Sequence, residues 1–317
     1  MNIPVPTKKG ANAKQIGALS HDTIKQLKEW QAEPEKHRPI KTNIAKLDKA
    51  FGGIVEGSYV VIGGKDKSGK TTFAQHIATI LGISNRGTVK YFLLEEMKKQ
   101  MAIRAMTRQT PKITRTQIRN LELTDNDFNE LEIAANMLEN VNLLVDDELN
   151  TCKEIIASLT PDIKWIVVDY FQLLGDRLGK NENERLEGIS RLILEDRNKT
   201  GRTWIVVYQI GIKTGRAHGS NTLYRDADVI LQIRTGKEEN TEEDVPGSMF
   251  IDVLPGRSCP GGTHVEIGFS GAHSRIMDMP KFDAENLTPI QETIFNPQDF
   301  IQEEMEINDT ETEIDTI

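Results

Sequence analysis

The sequence predicts an α/β protein: a mostly parallel sheet flanked by helices, finished by an antiparallel extension. Three observations predict it. Between Thr42 and Phe269, short runs rich in Val and Ile alternate with helical stretches, the pattern of a parallel sheet covered on both faces. The first run leads into a glycine- and lysine-rich loop that opens a helix. The last three runs follow one another with no helix between them, as only antiparallel neighbours can.

Residues 1–18 are polar and rich in Lys, Gly, Asn and Pro, and read as a flexible arm. Ser20 is a candidate N-cap, Ile24, Leu27 and Trp30 or Gln31 recur on one helical face, and Pro34 ends the segment, leaving Glu35–Pro39 as a polar linker. So short a helix needs a surface for its apolar face, either its own domain or a neighbouring subunit. The expected strands are Ser58–Gly63, Val89–Leu94, Asn142–Val145, Trp165–Val168 and Thr203–Val207. The expected helices are Thr71–Leu81, Met97–Arg108, Asn126–Leu138, Thr151–Leu159 and Glu184–Lys199. Met97 and Met101, one turn apart, read as core filling. Val229–Ile233, Ser248–Leu254 and Thr263–Phe269 form the antiparallel extension, with Lys237–Gly247 as an exposed acidic loop. The chain divides into an arm with a linker helix (1–41), a large α/β domain (42–281) and an acidic tail (282–317) with the composition of disorder.

Composition bounds the function. The chain has 317 residues, 38% hydrophobic and 27% charged, enough to bury a core. Its formal charge of −9 is uneven: eleven Asp and Glu lie in 282–317, where there is no Lys or Arg. Residues 1–281 therefore hold 37 acidic against 39 basic residues, a net +2, and a polyanionic partner is not excluded. The two cysteines, Cys152 and Cys259, exclude a disulfide scaffold and a cysteine-based zinc site and suit a reducing cytosol. None of the six His has metal-ligand spacing. No apolar run approaches the ~20 residues of a membrane span, and the N-terminus lacks a signal-peptide core, so a soluble intracellular protein is expected.

The strongest motif is Gly64-Lys65-Asp66-Lys67-Ser68-Gly69-Lys70-Thr71, which fits G-x-x-x-x-G-K-[ST] between a strand and a helix. Its glycines let backbone N–H groups close around phosphate oxygens at a helix N-terminus. Gly64, Ser68, Gly69, Lys70, Thr71 and Thr72 are the candidate nucleotide contacts. Lys70 would reach the β- and γ-phosphates, and the Thr71 hydroxyl would ligate Mg²⁺. The apolar strand ending in Asp169 has the Walker B form, and its carboxylate would share the metal or else cap a turn. Hydrolysis also needs a group that orients or deprotonates water. Glu95 and Glu96, at a strand end, fit equally on spacing, and either could instead stabilise the next helix N-terminus.

At these residues a family becomes visible. From about Thr42 to Arg275 the chain resembles the RecA-like motor domain of DnaB-family replicative helicases. The lead-in Thr42–Asp48, Gly52-Gly53 and Gly57–Ile62 looks like that family's approach to the phosphate loop. Glu96-Met97 matches its strand-end Glu-Met, and so selects Glu96 as the catalytic glutamate. Asp169–Leu173 is similar to its Walker B segment, and Gln209 falls at its γ-phosphate-sensing glutamine. Asp226–Ile230 matches its Asp-Ala-Asp strand start. Arg257–Thr263 resembles its arginine-finger loop. There are departures. The family's N-terminal primase-binding helical domain has no counterpart here, and Tyr208 stands where a serine is common. Pro255 replaces a lysine two residues before the finger, a change that implies slower hydrolysis.

The resemblance implies a RecA-like P-loop NTPase fold for 42–281, acting as an ATPase and helicase domain that uses ATP and Mg²⁺. It implies a homo-oligomer, hexameric in the family, and a bacterial or phage-infected cytoplasm, with a primase, a loader or a single-strand-binding protein as possible partners. It also casts Glu96, Lys70, Gln209 and Arg257 in catalytic roles, although in isolation Arg257 could instead be a surface arginine in a turn. Two Gly-rich polar loops, Gly175–Asn183 with Arg177 and Lys180, and Gly211–Tyr224 with Lys213, Arg216 and His218, would track single-stranded DNA phosphates without reading bases, unless they are ordinary solvated loops. The acidic tail, with Phe295 and Phe300, would mimic DNA on those loops, dock a partner or simply solvate. The leading expectation is an ATP-dependent DNA helicase or translocase. A RecA-type recombination or strand-annealing filament protein, and a non-unwinding loader ATPase, are the alternatives.

Overall fold

A computed structural model of the chain describes residues 15–110, 112–210, 220–237 and 244–278. These fall into two units, one up to Pro39 and one from Ile40 onward. In the first, α1 spans Ile16–Ala32 and α2 spans Pro34–His37. Helix α1 starts a turn earlier than the capping reading places it. Ser20 sits inside it, its hydroxyl donating to the Ile16 carbonyl at 2.8 Å, the use an interior serine makes of the preceding turn. Pro34 does not end helical structure but opens α2, where its fixed φ and missing N–H suit the first position. No residue of α1 is buried.

The second unit contains one sheet of nine strands: β1 (Tyr59–Gly64), β2 (Thr88–Leu93), β3 (Leu143–Asp146), β4 (Ile163–Asp169), β5 (Thr203–Gln209), β6 (Val229–Lys237), β7 (Asp244–Leu254), β8 (Thr263–Ser270) and β9 (Arg275–Met277). Their order is β3-β2-β4-β5-β1-β6-β7-β8-β9. The first six are parallel and the last three antiparallel. The helices are α3 (Ala45–Phe51), α4 (Lys70–Ile83), α5 (Lys98–Gln109), α6 (Arg115–Asn120), α7 (Asp125–Leu138), α8 (Cys152–Ala157), α9 (Glu182–Thr200) and α10 (Ser220–Asp226), with a 3₁₀ turn at Phe171–Leu173.

The core lies on both faces of the sheet. Val60, Ile62, Trp165, Val167, Ile205 and Val207 pack with α4 on one side. Their neighbours in sequence, Tyr59, Val61, Ile166, Val168, Trp204 and Val206, pack with α9 on the other. This is the period of two of a strand buried twice over. Helix α4 buries Phe73, Ala74, Ile77, Ala78 and Leu81, at roughly 1.5–3 kcal/mol for each large side chain.

Several details differ from the sequence reading. Met97 is exposed and only Met101 fills the core, because Met97 precedes α5 as its N-cap residue. The expected acidic loop Lys237–Gly247 is largely strand: β6 and β7 extend until Lys237 pairs with Asp244, and only its centre lies outside the described residues. Helices α3, α6 and α10 and strand β9 span too few residues for periodicity to reveal. Among the described residues no helix is long and apolar enough to cross a membrane.

Candidate nucleotide site

Strand β1 ends at Gly64 in the middle of the sheet, and the loop from Lys65 to Gly69 delivers the chain into α4. Two backbone positions make the turn possible. Gly69 has φ +90°, and a Cβ there would lie 2.3 Å from Met249. A Cβ on Gly64 would lie 2.6 Å from the Ser68 hydroxyl and 2.7 Å from the Ile233 carbonyl. The Ser68 hydroxyl is buried with no partner among the described residues. The first N–H groups of α4 point from the same turn. The turn thus offers a buried hydroxyl and an α4 N-terminus that no side chain caps, with no room for a side chain at Gly64 or Gly69, which is what an anionic phosphate requires.

Lys70, the first residue of α4, is 8% exposed and donates to the Lys65 carbonyl across the loop. Burial lowers its pKa, and Asp66, Asp169 and Glu95 oppose that shift. Thr71 is half-buried beside it, and Thr72 is buried, its carbonyl facing the Arg108 guanidinium at 3.5 Å.

Asp169 ends β4 at the same edge and is 5% exposed. Burial pushes its pKa up to about 6, against hydrogen bonds from Tyr91 and Thr71 that lower it. The Tyr91 hydroxyl donates at 2.8 Å. A buried carboxylate beside a threonine hydroxyl at the rim of a phosphate cradle fits Mg²⁺, which takes one or two protein oxygens and completes its shell with water and phosphate. Among the described residues no cluster of three His, Cys, Asp or Glu offers an alternative, all-protein cage.

Glu96 follows β2 at this edge and is half-buried. Its carboxylate is held by both terminal nitrogens of Arg104, two turns into α5, a fork geometry that fixes the plane of the carboxylate. Glu95 is exposed, and its charge reaches Lys70 and Tyr170. The fixed carboxylate is therefore Glu96, while the exposed charge acting on the lysine is Glu95.

Gln209 ends β5, opposite Gly64 in the register. Its N–H donates to the Gln172 side-chain oxygen at 3.2 Å, and its carbonyl accepts from the Gln172 amide at 2.7 Å. One side chain thereby ties the segment after Asp169 to the end of β5. Arg185 holds the other side of that turn, donating to the Leu174 and Gln172 carbonyls.

The structure does not bring Arg257 to this cluster. Its backbone N–H donates to the Ala227 carbonyl at 3.0 Å, just before β6, and Val229 pairs near the start of β1. Arg257 thus lies where β1 begins and Lys70 where β1 ends, separated by about 16 Å of strand. Its guanidinium, 48% exposed, meets Asp226 at 3.4 Å, and its Nε donates to the Arg225 carbonyl at 3.1 Å. Arg177 and Lys180 are on the loop after the 3₁₀ turn, Arg177 exposed and Lys180 exposed beyond Gly179. Asp176 of that loop turns inward to accept from the Cys152 N–H at the start of α8. Lys213, Arg216 and His218 lie outside the described residues.

Sequence reasoning missed Tyr91, Arg104 and Gln172. Tyr91 carried a signal, a hydroxyl inside an apolar strand two residues before the neighbour of Asp169 in the register. Arg104 and Gln172 carried none that spacing could isolate.

Residues 39–205, more than half of the sequence, match the DnaB-like helicase C terminal domain family. The chain belongs to this family. It is 22% identical over 297 residues to the replicative DNA helicase DnaB of Geobacillus stearothermophilus, covering 88% of this chain and 64% of that protein. It is 24% identical to the DnaB of Buchnera aphidicola subsp. Baizongia pistaciae, covering 84% and 62%. The chain thus spans under two thirds of the length of these relatives. Among solved structures, one described as an ATPase domain superposes with a TM-score of 0.72 at 18% identity, covering 84% of this chain and all of that one. A DnaB-like replicative helicase described with its interactions with primase superposes at 0.70 and 18%, covering 85% and 68%. The fold is therefore the RecA-like one of DnaB ATPase domains, mostly parallel with an antiparallel extension, as the sequence predicts.

Proposed function

We propose that this chain is the motor of an ATP-dependent DNA helicase that translocates on single-stranded DNA in replication, with ATP hydrolysed between the subunits of a homo-hexameric ring. The observation that carries the proposal is the separation of Arg257 from Lys70 along the length of β1. Lys70 is the buried cation of the phosphate loop, whose other two lysines, Lys65 and Lys67, are exposed. Arg257 is too far along the sheet to join it within one chain and is exposed where another copy can use it. Membership of the DnaB-like family supports the helicase over a recombination filament.

In this reading Lys70 and the α4 N–H groups bind the β- and γ-phosphates, with Ser68 completing the cradle. Thr71 and Asp169 hold Mg²⁺, which when bound neutralises charge on the phosphate oxygens. Glu96, oriented by Arg104, accepts the proton of the attacking water. Arg257 of a neighbouring copy, released from Asp226, stabilises charge on the phosphoryl group, an effect worth about 10³–10⁵ in rate where such fingers are known. Gln209 senses the γ-phosphate, and its backbone bonds to Gln172 transmit the change to the loop carrying Arg177 and Lys180 and to the segment with Lys213 and Arg216, which hold DNA phosphates. Helix α1, with its exposed Ile24, Leu27 and Trp30, offers a neighbour an apolar face. A primase, a loader or a single-strand-binding protein is the expected partner class, and a bacterial cytoplasm the expected setting.

The experiment is subunit mixing. Lys70→Ala and Arg257→Ala chains are each inactive in this scheme, but a mixture contains interfaces with an intact cradle and an intact finger. Partial recovery of ATP turnover, together with strand displacement on a forked duplex by the unmutated chain, is the expected result. A mixture no more active than its components would exclude catalysis across subunits.

A further inference from the structure

A cleft of about 610 Å³ opens between α5, α6 and the turn joining β8 to β9, lined by Glu96, Arg104, Arg115, Arg119, Gly271 and Ala272 among others. Its wall is fixed by the Arg115 N–H, which donates to the Ala272 carbonyl at 3.1 Å. These lining residues bring three guanidinium groups and one carboxylate together. Arg104 is committed to Glu96. Arg115 and Arg119 are exposed one turn apart on α6, and among the described residues neither has a carboxylate in ion-pair range. Partial burial and the charge of Arg104 weigh against the protonated Arg115, and Glu96 only partly offsets them, the mark of a site short of negative charge.

The same turn leads the chain out of the fold. Ala272 leads into β9, and the described residues end at Asp278, six positions on, at most about 20 Å along the chain. Beyond it lie 39 residues, of which 282–317 carry eleven carboxylates and no Lys or Arg. Their densest run is Glu303, Glu304 and Glu306. A tethered segment of this length sees the cleft at an effective concentration of order millimolar, so the docking contacts need supply only about 4 kcal/mol to hold it.

We propose that the acidic C-terminal segment of this chain docks its carboxylates on Arg115 and Arg119, filling the cleft beside Glu96. The docking itself does not depend on the nucleotide reading. Only its consequence does: a docked carboxylate competes with Glu96 for Arg104 and so loosens the residue proposed to activate water.

The test places donor and acceptor dyes on the full chain at Lys112→Cys, next to α6, and Phe300→Cys, in the tail. The native Cys152 and Cys259 are buried and spared from labelling. A large excess of unlabelled chain restricts transfer to single molecules. Energy transfer is expected to be high at 50 mM salt and to fall at least about twofold at 500 mM, as screening weakens the ion pairs. It should fall as far in Arg115→Glu/Arg119→Glu, and return when Glu303, Glu304 and Glu306 are each replaced by Lys in that background. Transfer unchanged by the double reversal overturns the proposal, as does transfer that disappears on dilution with unlabelled chain. A double reversal that weakens oligonucleotide binding about tenfold while leaving transfer intact assigns the cleft to nucleic acid instead, and the proposal falls.

Discussion

At the end of β1 that opens into α4, the functional side chains are buried or half-buried and bonded to one another or to nearby backbone. Lys70 holds the loop carbonyl, Tyr91 holds Asp169, Arg104 holds Glu96, and Gln172 holds both backbone groups of Gln209. At the end where β1 begins, Arg257 is half-exposed and held by one long ion pair and one carbonyl. The first arrangement is rigid before any ligand arrives, which is how a phosphate site avoids reorganising at the moment of reaction. The second can let go of its partners at small cost, because exposed pairs are worth about 0–1 kcal/mol. A residue that must leave its own subunit's surface to act on another's substrate needs that looseness.

The contrast is broken most severely by Lys70→Ala. Removing the buried cation of the cradle should lower ATP turnover by at least about a thousandfold and weaken nucleotide binding as well, measured by steady-state hydrolysis and by fluorescence titration. Arg257→Ala should cost about a thousandfold or more in turnover but less in binding, with nucleotide affinity unchanged within about a factor of two. Equal loss of affinity in both variants would place Arg257 at its own chain's site and erase the distinction between the two ends.

The rigid end is also the end that the sequence made legible. A phosphate loop needs glycine and lysine at fixed spacing because the backbone itself is the binding group, so Gly64, Gly69, Lys70 and Thr71 are readable as a string. Asp169 is readable because an apolar strand that ends in a carboxylate stands out from the strands around it. The residues that hold these groups in place are a different matter. Arg104 reaches Glu96 across two helical turns and Gln172, beyond the end of β4, reaches Gln209 at the end of the neighbouring β5, so their roles come from tertiary placement that no local pattern encodes. The sheet's alternating apolar runs announced its parallel half, whereas α6 left only its Thr114–Gln117 capping box as a trace. The separation of Arg257 from Lys70 required the strand register, since chain distance alone is silent about which edge a turn occupies.

Acid should act against the rigid end through one buried histidine. His76 lies on α4 nearly two turns beyond Lys70, and its Nε2 contacts the Thr42 carbonyl at 2.9 Å, so the neutral ring donates there. Burial, with Arg108 nearby, pulls its pKa down to about 4. The folded state therefore binds this proton less readily than the unfolded chain, whose histidine titrates near 6.5. Its effect on stability is absent above about pH 6.5 and becomes a loss as pH falls from there toward about 4. The His76 contribution is a loss of about 2 kcal/mol between about pH 7 and pH 5. It is offset in part by Asp169, which with its pKa raised to about 6 takes up a proton in the same window, so it is read as a difference between two chains in urea denaturation. A His76→Gln chain, which keeps a donor and cannot titrate, should show a correspondingly flatter profile.

The smallest effect sharpens the comparison most directly, because it sets the two ends against each other in stability alone. Tyr91→Phe removes one hydroxyl from a fully buried pair and leaves Asp169 with one donor fewer. It should cost about 1 kcal/mol, a fall of about 2 °C in Tm for a domain of this size. Arg257→Ala removes a larger side chain and a formal ion pair, yet should change stability by less than about 0.5 kcal/mol, since the pair is half-exposed and long. Measured side by side without nucleotide, the two variants separate a bond that builds the fold from a contact that merely parks a side chain. If Arg257→Ala proved the more destabilising, the arginine would be a structural tie between the β7–β8 turn and the start of β6, and the looseness attributed to that end of the sheet would be wrong.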